Sequence, residues 1–369
     1  MRSILKKMLY RMQCFESIEE AADGEEGWHK MRTQIFHLVI ADINMPRLNG
    51  IELLKRCRRE SDLRNIPFLI VSGEALQDVI AFVGEWGVFD YVVKPFSYSI
   101  LKSRTEAVLE RLRNPEDLLF REVERLKEMG YYREALHRVE EAEANLKELK
   151  AKWLTIKGEC LLALGSLEEA QECLNRALEL SDLYLPAHKT CAELHLKQGN
   201  IDRAIESLTR ADEISPMDTD RKVSLGKLLL GQGRDDEGRG YFDKAVKQSS
   251  QAERGDILRR VAEAYMESGH FAEAEELFLK LIKLDPDQVE TYNRLGIALR
   301  RQGKYDEAEA YYRMALESHP QNPVIFYNLG VLQFSRQDRK NARQSLQEAI
   351  RLDPGFTKAR EVLRQVEAS

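Results

Sequence analysis

Several kinds of sequence feature are scarce in this chain of 369 residues. No apolar run approaches 18 residues, so no segment is expected to span a membrane. The basic N-terminal residues Arg2, Lys6, Lys7 and Arg11 do not precede an apolar core. Instead Ile4, Leu5, Met8, Leu9 and Met12 fall at helix-face spacing, which argues against an export signal. Cys14, Cys57, Cys160, Cys173 and Cys191 are odd in number and contain no C-x-x-C pair, as expected of thiols in a reducing, cytoplasmic setting. Basic charge is not in excess. Residues 1–113 carry 17 Lys and Arg against 16 Asp and Glu, which leaves 39 against 46 for the remainder, so nucleic acid is not an expected partner. The scattered histidines lack metal-ligand spacing, and no P-loop, nucleophile elbow or zinc motif is present, so an independent enzyme is not expected.

The first informative stretch is Leu38 to Gly50, an apolar run that ends in Asp42 and is interrupted at once by Asn44, Pro46 and Gly50. A carboxylate is thereby presented at the carboxyl end of a buried strand, where open α/β sheets keep their chemistry. A second run, Ile66 to Val71, closes in Ser72-Gly73, and a third begins at Tyr91 and ends in Lys94-Pro95-Phe96. Helices are expected over Arg2 to Phe15, Glu25 to Thr33, Ile51 to Arg59, Leu76 to Trp86 and Ser99 to Leu112. Strands are expected at Ser17 to Ala22, His37 to Ile43, Ile66 to Ser72 and Tyr91 to Val93.

An Asp, a hydroxyl and a Lys-Pro at successive strand ends resemble the response-regulator receiver domain. The resemblance implies a flavodoxin-like α/β fold over residues 1–113 with Asp42 as phosphoacceptor. It gives Lys94 and Ser72 as phosphate-binding groups and Tyr91 as the aromatic switch, with Asp42 and the Asn44 backbone carbonyl on Mg²⁺. The implied donor is a histidine kinase or histidine phosphotransfer protein, and a homodimer through this domain is a further expectation. The Lys94-Pro95 bond is expected to be cis. Receivers begin with a buried strand ending in two metal-binding acids, and this chain begins at the helix that follows them, so the domain is N-terminally truncated. A start assigned downstream of the true one and a degenerate receiver both account for this, and the retained Asp, Ser and Lys favour the first. Mg²⁺ is expected only where the acidic pair is present. The domain is expected to catalyse only its own phosphotransfer and dephosphorylation.

Beyond Pro115 the pattern becomes helical and periodic. Gly165, Gly199, Gly233, Gly269 and Gly303 are spaced by 34, 34, 36 and 34 residues, and five positions after each lies Ala170, Ala204, Gly238, Ala274 or Ala308. These marks resemble tetratricopeptide (TPR) repeats. The best copy is Tyr292, Leu295, Gly296, Gly303, Tyr305, Ala308, Tyr312, Ala315 and Pro320, and a weaker one is Gly130, Ala135 and Ala142. Residues 114–369 are therefore expected to form an all-α superhelical solenoid of about seven repeats, closed by a helix over Phe356 to Glu367. The resemblance implies an unidentified protein or peptide on a concave face, with Asn293, Arg294, Ile297, Arg300, Tyr327, Val331 and Phe334 in the last two repeats. Packing of Tyr327, Val331 and Phe334 against the closing helix is the alternative for those three. Two functions stand open: a two-component adaptor switched at Asp42, and a phosphorylation-independent scaffold whose pseudo-receiver serves docking or dimerisation.

Overall fold

A computed structural model describes residues 2–60, 62–64, 66–73, 90–145 and 150–368. The chain divides into two compact units, Met1–Asp218 and Thr219–Ser369. The division falls within the repeats, so the first unit holds the α/β region together with the first three helix pairs.

In the α/β region the order is α1 (Arg2–Met12), α2 (Gly24–Thr33), β1 (Val39–Asp42), α3 (Gly50–Arg59), β2 (Phe68–Ser72), β3 (Asp90–Val93) and α4 (Tyr98–Arg113). The three strands among the described residues are parallel in the order β1-β2-β3. Strand alternation divides β2 between two cores. Phe68 and Ile70 join Met31, Leu53, Leu54 and Cys57 beneath α2 and α3, whereas Leu69 joins Leu9, Val92, Leu101 and Val108 beneath α1 and α4. A strand covered on both faces reads as an unbroken apolar run, and all five residues of β2 are buried.

The expected strand at Ser17 to Ala22 does not form; residues 17–22 are irregular. A strand requires a ladder partner, and among the described residues β1 pairs only with β2. Side chains satisfy this segment instead. Lys30 Nζ donates to the Glu20 carbonyl at 2.5 Å, and the Ala22 N–H donates to Glu26 Oε2 at 2.7 Å. The three described strands stand side by side in sequence order, as the last three strands of a flavodoxin-like sheet do. The helix expected at Leu76 to Trp86 lies outside the described residues.

Seven helix pairs follow. In the first unit they are α5 (Pro115–Glu128) with α6 (Tyr132–Asn145), α7 (Ala151–Leu164) with α8 (Leu167–Leu180), and α9 (Leu185–Lys197) with α10 (Ile201–Ile214). In the second they are α11 (Thr219–Gly231) with α12 (Asp235–Gln248), α13 (Arg254–Glu267) with α14 (Phe271–Leu284), α15 (Val289–Arg301) with α16 (Tyr305–Ser318), and α17 (Pro323–Ser335) with α18 (Arg339–Leu352), closed by α19 (Thr357–Ala368). Within four of the pairs, a glycine of the first helix (Gly158, Gly226, Gly296 or Gly330) receives a large side chain of the second. A Cβ on Gly296 would stand 2.4 Å from the Tyr312 ring, and one on Gly226 2.4 Å from Phe242. Small residues at these positions therefore set the close approach of the helices, and the rings fill the space it leaves.

Candidate functional site

Strand register alone brings the three sequence-singled residues together. Asp42 lies opposite Val71 across β1 and β2, and Ser72 lies opposite Val93 across β2 and β3. Asp42, Ser72 and Lys94 thus end three adjacent parallel strands at one edge of the sheet. Lys94 Nζ forms an ion pair with Asp42 Oδ2, and the Asn44 N–H donates to Asp42 Oδ1 at 3.1 Å. The Lys94 N–H donates to the Ser72 carbonyl at 2.7 Å, so the chain that carries the ammonium is tied to the strand that carries the hydroxyl. Asp42 and Lys94 keep 26% and 20% of their side-chain surface, enough for a reacting group to reach them. The Lys94-Pro95 peptide is cis, as expected.

The turn after β1 is held at both ends. Asn49 caps α3, accepting from the Glu52 N–H at 2.8 Å, and Glu52 returns a bond to the Asn49 N–H at 3.2 Å. Gly50 lies so close to β1 that a Cβ there would stand 2.2 Å from the Asp42 carbonyl oxygen. At the far side of the loop Arg47 pairs with Asp23, which is buried and caps α2. Tyr91 is half-buried and packs against the cluster beneath α2 and α3.

Receiver domains commonly bind Mg²⁺, and the residues described do not fit that ion. Among them no group of three or more His, Cys, Asp or Glu is placed to hold a metal. Asp42 and the Asn44 carbonyl are the oxygens singled out in sequence, and Asp42 is already engaged by Lys94. Mg²⁺ demands near-octahedral oxygen coordination, which one engaged carboxylate supports poorly.

The repeat residues proposed for a groove separate into two sets. Asn293 is buried and accepts from Asn328 Nδ2 at 2.7 Å; Arg294 Nε meets Glu263 at 3.0 Å and Glu290 at 3.2 Å. Ile297 and Arg300 are half-buried on the same helix. Tyr327 meets the Phe356 ring at a tilt, 5.0 Å between centroids, and both Tyr327 and Phe334 join the core that α19 covers. The closing helix thus takes up these two, while Val331 stays half-buried outside that core.

Sequence reasoning passed over a cavity of about 480 Å³ in the first three repeats, lined by residues from α5, α6, α7 and α9. Its floor is a charged network: Lys127 Nζ bonds Glu124 at 2.7 Å and also Glu159, which accepts from the Thr190 hydroxyl at 3.2 Å. Burial works against the Lys127 charge, but Glu159 and Glu124 outweigh it and hold its pKa above the ordinary lysine value. Burial pushes the Glu124 carboxyl up. A signal existed, since Glu124, Glu159 and Glu193 each lie six positions before a turn glycine, Gly130, Gly165 and Gly199.

Comparison with known proteins finds two kinds of family along the chain. The response regulator receiver domain family matches residues 1–106. A tetratricopeptide repeat family matches 120–183, 192–253 and 261–323, and a second such family matches 161–222 and 299–366. The chemotaxis protein CheY-3 of Vibrio cholerae serotype O1 is 37% identical over 112 residues, which are 30% of this chain and 85% of that protein. The chemotaxis protein CheY of Pseudomonas aeruginosa is 38% identical over 112 residues, 30% of this chain and 90% of its own. Among solved structures, the C-terminal part of a TPR repeat-containing protein from Cytophaga hutchinsonii superposes with a TM-score of 0.53. It is 18% identical and covers 66% of this chain and 99% of that one.

Proposed function

The chain belongs to the response regulator receiver family in its first part and to the tetratricopeptide repeat family beyond it, and from that premise we propose that it is a two-component signalling adaptor. A phosphohistidine on a kinase or phosphotransfer protein gives its phosphoryl group to Asp42, and the resulting state alters what the repeats bind. The observation that carries this reading is the Asp42–Lys94 ion pair at three adjoining strand ends, with Ser72 beside it. In the transfer the donor's N–P bond breaks as an Asp42 Oδ–P bond forms, and the imidazole leaves. Lys94 then moves from the carboxylate to a phosphoryl oxygen, and Ser72 donates to another. Tyr91, held against the core by packing, is the side chain that follows Ser72. The protein is not otherwise an enzyme. Its five free cysteines, three of them buried, suit a reducing cytoplasm.

The route to the repeats lies within the first unit. Arg64, just before β2, meets Glu128 of α5 at 3.1 Å, and Arg121 of α5 donates to the Leu112 carbonyl of α4 at 2.7 Å. Asn114 ends α4 and caps α5, so no linker separates them. A rearrangement of the sheet therefore reaches the first repeat through two polar contacts, and Glu128 adjoins the network residue Lys127.

A second reading has an observation of its own. Lys94 already neutralises Asp42, and the described residues do not fit Mg²⁺, which favours a phosphorylation-independent scaffold that docks or dimerises through the receiver. Hydrogen exchange on the full-length protein isolated from cells, with and without acetyl phosphate and Mg²⁺, separates the two. The adaptor reading expects altered exchange at residues 115–145 in the wild type and none in Asp42→Asn. Unchanged exchange in the wild type leaves the scaffold.

A further inference from the structure

The acids that precede the turn glycines form one register along the first helices of successive repeats, and the protein treats them unequally. Glu124 and Glu159 share the ammonium of Lys127. In the fifth repeat Glu263, at the same register, is met by Arg294 of the next repeat at 3.0 Å. Glu193 lines the cavity beside Glu159, and among the described residues it forms no ion pair and accepts no hydrogen bond. Its carboxylate has no direct cation partner, although Lys189 and Lys197 stand near enough to favour its charged form.

The cations of the lining are already engaged. Lys127 serves two carboxylates, Lys197 Nζ donates to the Leu162 carbonyl at 3.0 Å, and Lys189 has a partner of its own. Leu162, Leu185 and Pro186 supply an apolar wall beside Glu193, of the kind along which a lysine or arginine stem lies while its head seeks charge. Glu193 stands exposed at the rim, yet the surrounding protein pushes its carboxyl up and Glu159 adds to that push, against Lys189 and Lys197. A carboxylate so placed gains from a positive neighbour.

We propose that the cavity of the first three repeats binds a basic side chain, arginine or lysine, of a peptide segment of the partner protein, which takes between Glu159 and Glu193 the place that Lys127 takes between Glu124 and Glu159. This rests on the reading that the repeats bind a protein. Arginine fits better than lysine, since its planar fork can meet two carboxylates at once. An acidic segment is disfavoured because it would have to displace Lys127 or Lys197 from contacts already made.

The test uses the full chain and three blocked peptides, acetyl-Ala-Leu-X-Leu-Ala-amide with X as Arg, Gln or Glu, at millimolar concentration by saturation-transfer NMR. The Arg peptide is expected to bind at least fivefold better than the Gln peptide, and this preference is expected to vanish in Glu193→Gln but persist in the exposed sixth-repeat control Glu317→Gln. Circular dichroism of the variants checks that both fold. Preference for the Glu peptide, or an Arg preference unchanged in Glu193→Gln, overturns the inference while leaving peptide binding by the repeats intact. Binding of none of the three also overturns it, and the exchange response to acetyl phosphate then judges the adaptor reading separately.

Discussion

The turn glycines of the repeats are used in the opposite way to the glycines of the receiver region. In the receiver region Gly50 and Gly24 are fixed by what they touch. A Cβ would stand 2.2 Å from the Asp42 carbonyl oxygen in the first case and 2.2 Å from that of Leu48 in the second. In the repeats Gly130, Gly165, Gly199, Gly233, Gly269 and Gly303 have φ between +73° and +90° and nothing within 4 Å of a Cβ. They are fixed by backbone conformation alone. The receiver relies on single close approaches, each specific to its place. The repeats use one local device many times, and the seventh dispenses with glycine, placing Gln337 at φ 62°. A unique contact cannot be replaced by a neighbour, whereas a repeated turn can vary with local cost only.

The sharpest way to break this contrast is Gly50→Ala. The added methyl meets backbone, which cannot swing aside, so α3 must retreat from β1 and carry Asp42 out of line with Lys94. The expected destabilisation is about 3 kcal/mol, the upper end for overpacking. Hydrogen exchange should show it confined to residues 39–72, and acetyl phosphate labelling of Asp42 should fall with it. A loss no larger than for a turn glycine of the repeats removes the distinction.

The intermediate test lies in the turns. Gly269→Ala forces an L-residue to φ +81° without a clash, at roughly 1–2 kcal/mol. Gln337→Gly should work in the opposite direction, gaining about half a kcal/mol because relief of the left-handed strain exceeds the entropy that glycine adds to the unfolded chain. Thermal unfolding of the two variants should move to opposite sides of the wild type. A destabilised Gln337→Gly would mean that this side chain contributes something beyond the turn.

The same contrast explains what was legible before the structure. Asp42, Ser72 and Lys94 could be found because each ends an apolar run, and parallel register then brings run ends together without further information. The repeats were legible because a glycine every 34 residues survives any variation between copies. The strand expected at residues 17–22 was not, since its formation depends on a neighbour rather than on its own residues. Tyr327 and Phe334 look like an open apolar face until α19 is seen to cover them. The Glu124, Glu159 and Glu193 register was present in the frame, but its meaning required knowing which carboxylates already hold a cation.

Redundancy among the repeats also limits how much any one charge contributes, and acid titration of the first repeat measures the smallest of these effects. Glu116 accepts from Lys150 Nζ at 2.6 Å and from Trp153 Nε1 at 3.1 Å, and the Lys150 bond, with Trp153 adding, holds its carboxyl below the ordinary carboxylate value. A depressed folded pKa contributes stability that is fully present above the unfolded value of about 4.5 and is lost as pH falls through the folded value. With Lys150 half exposed, solvent screens the pair to about half a kcal/mol. Tryptophan fluorescence of the full chain should therefore be flat from pH 7 to 5 and change below about 4.5. Glu116→Gln should remove part of that acid limb and leave the neutral plateau nearly unmoved, because Phe120 and the core around Trp153 still hold the ring. A large loss at neutral pH would show that a repeat, too, can hang on one contact.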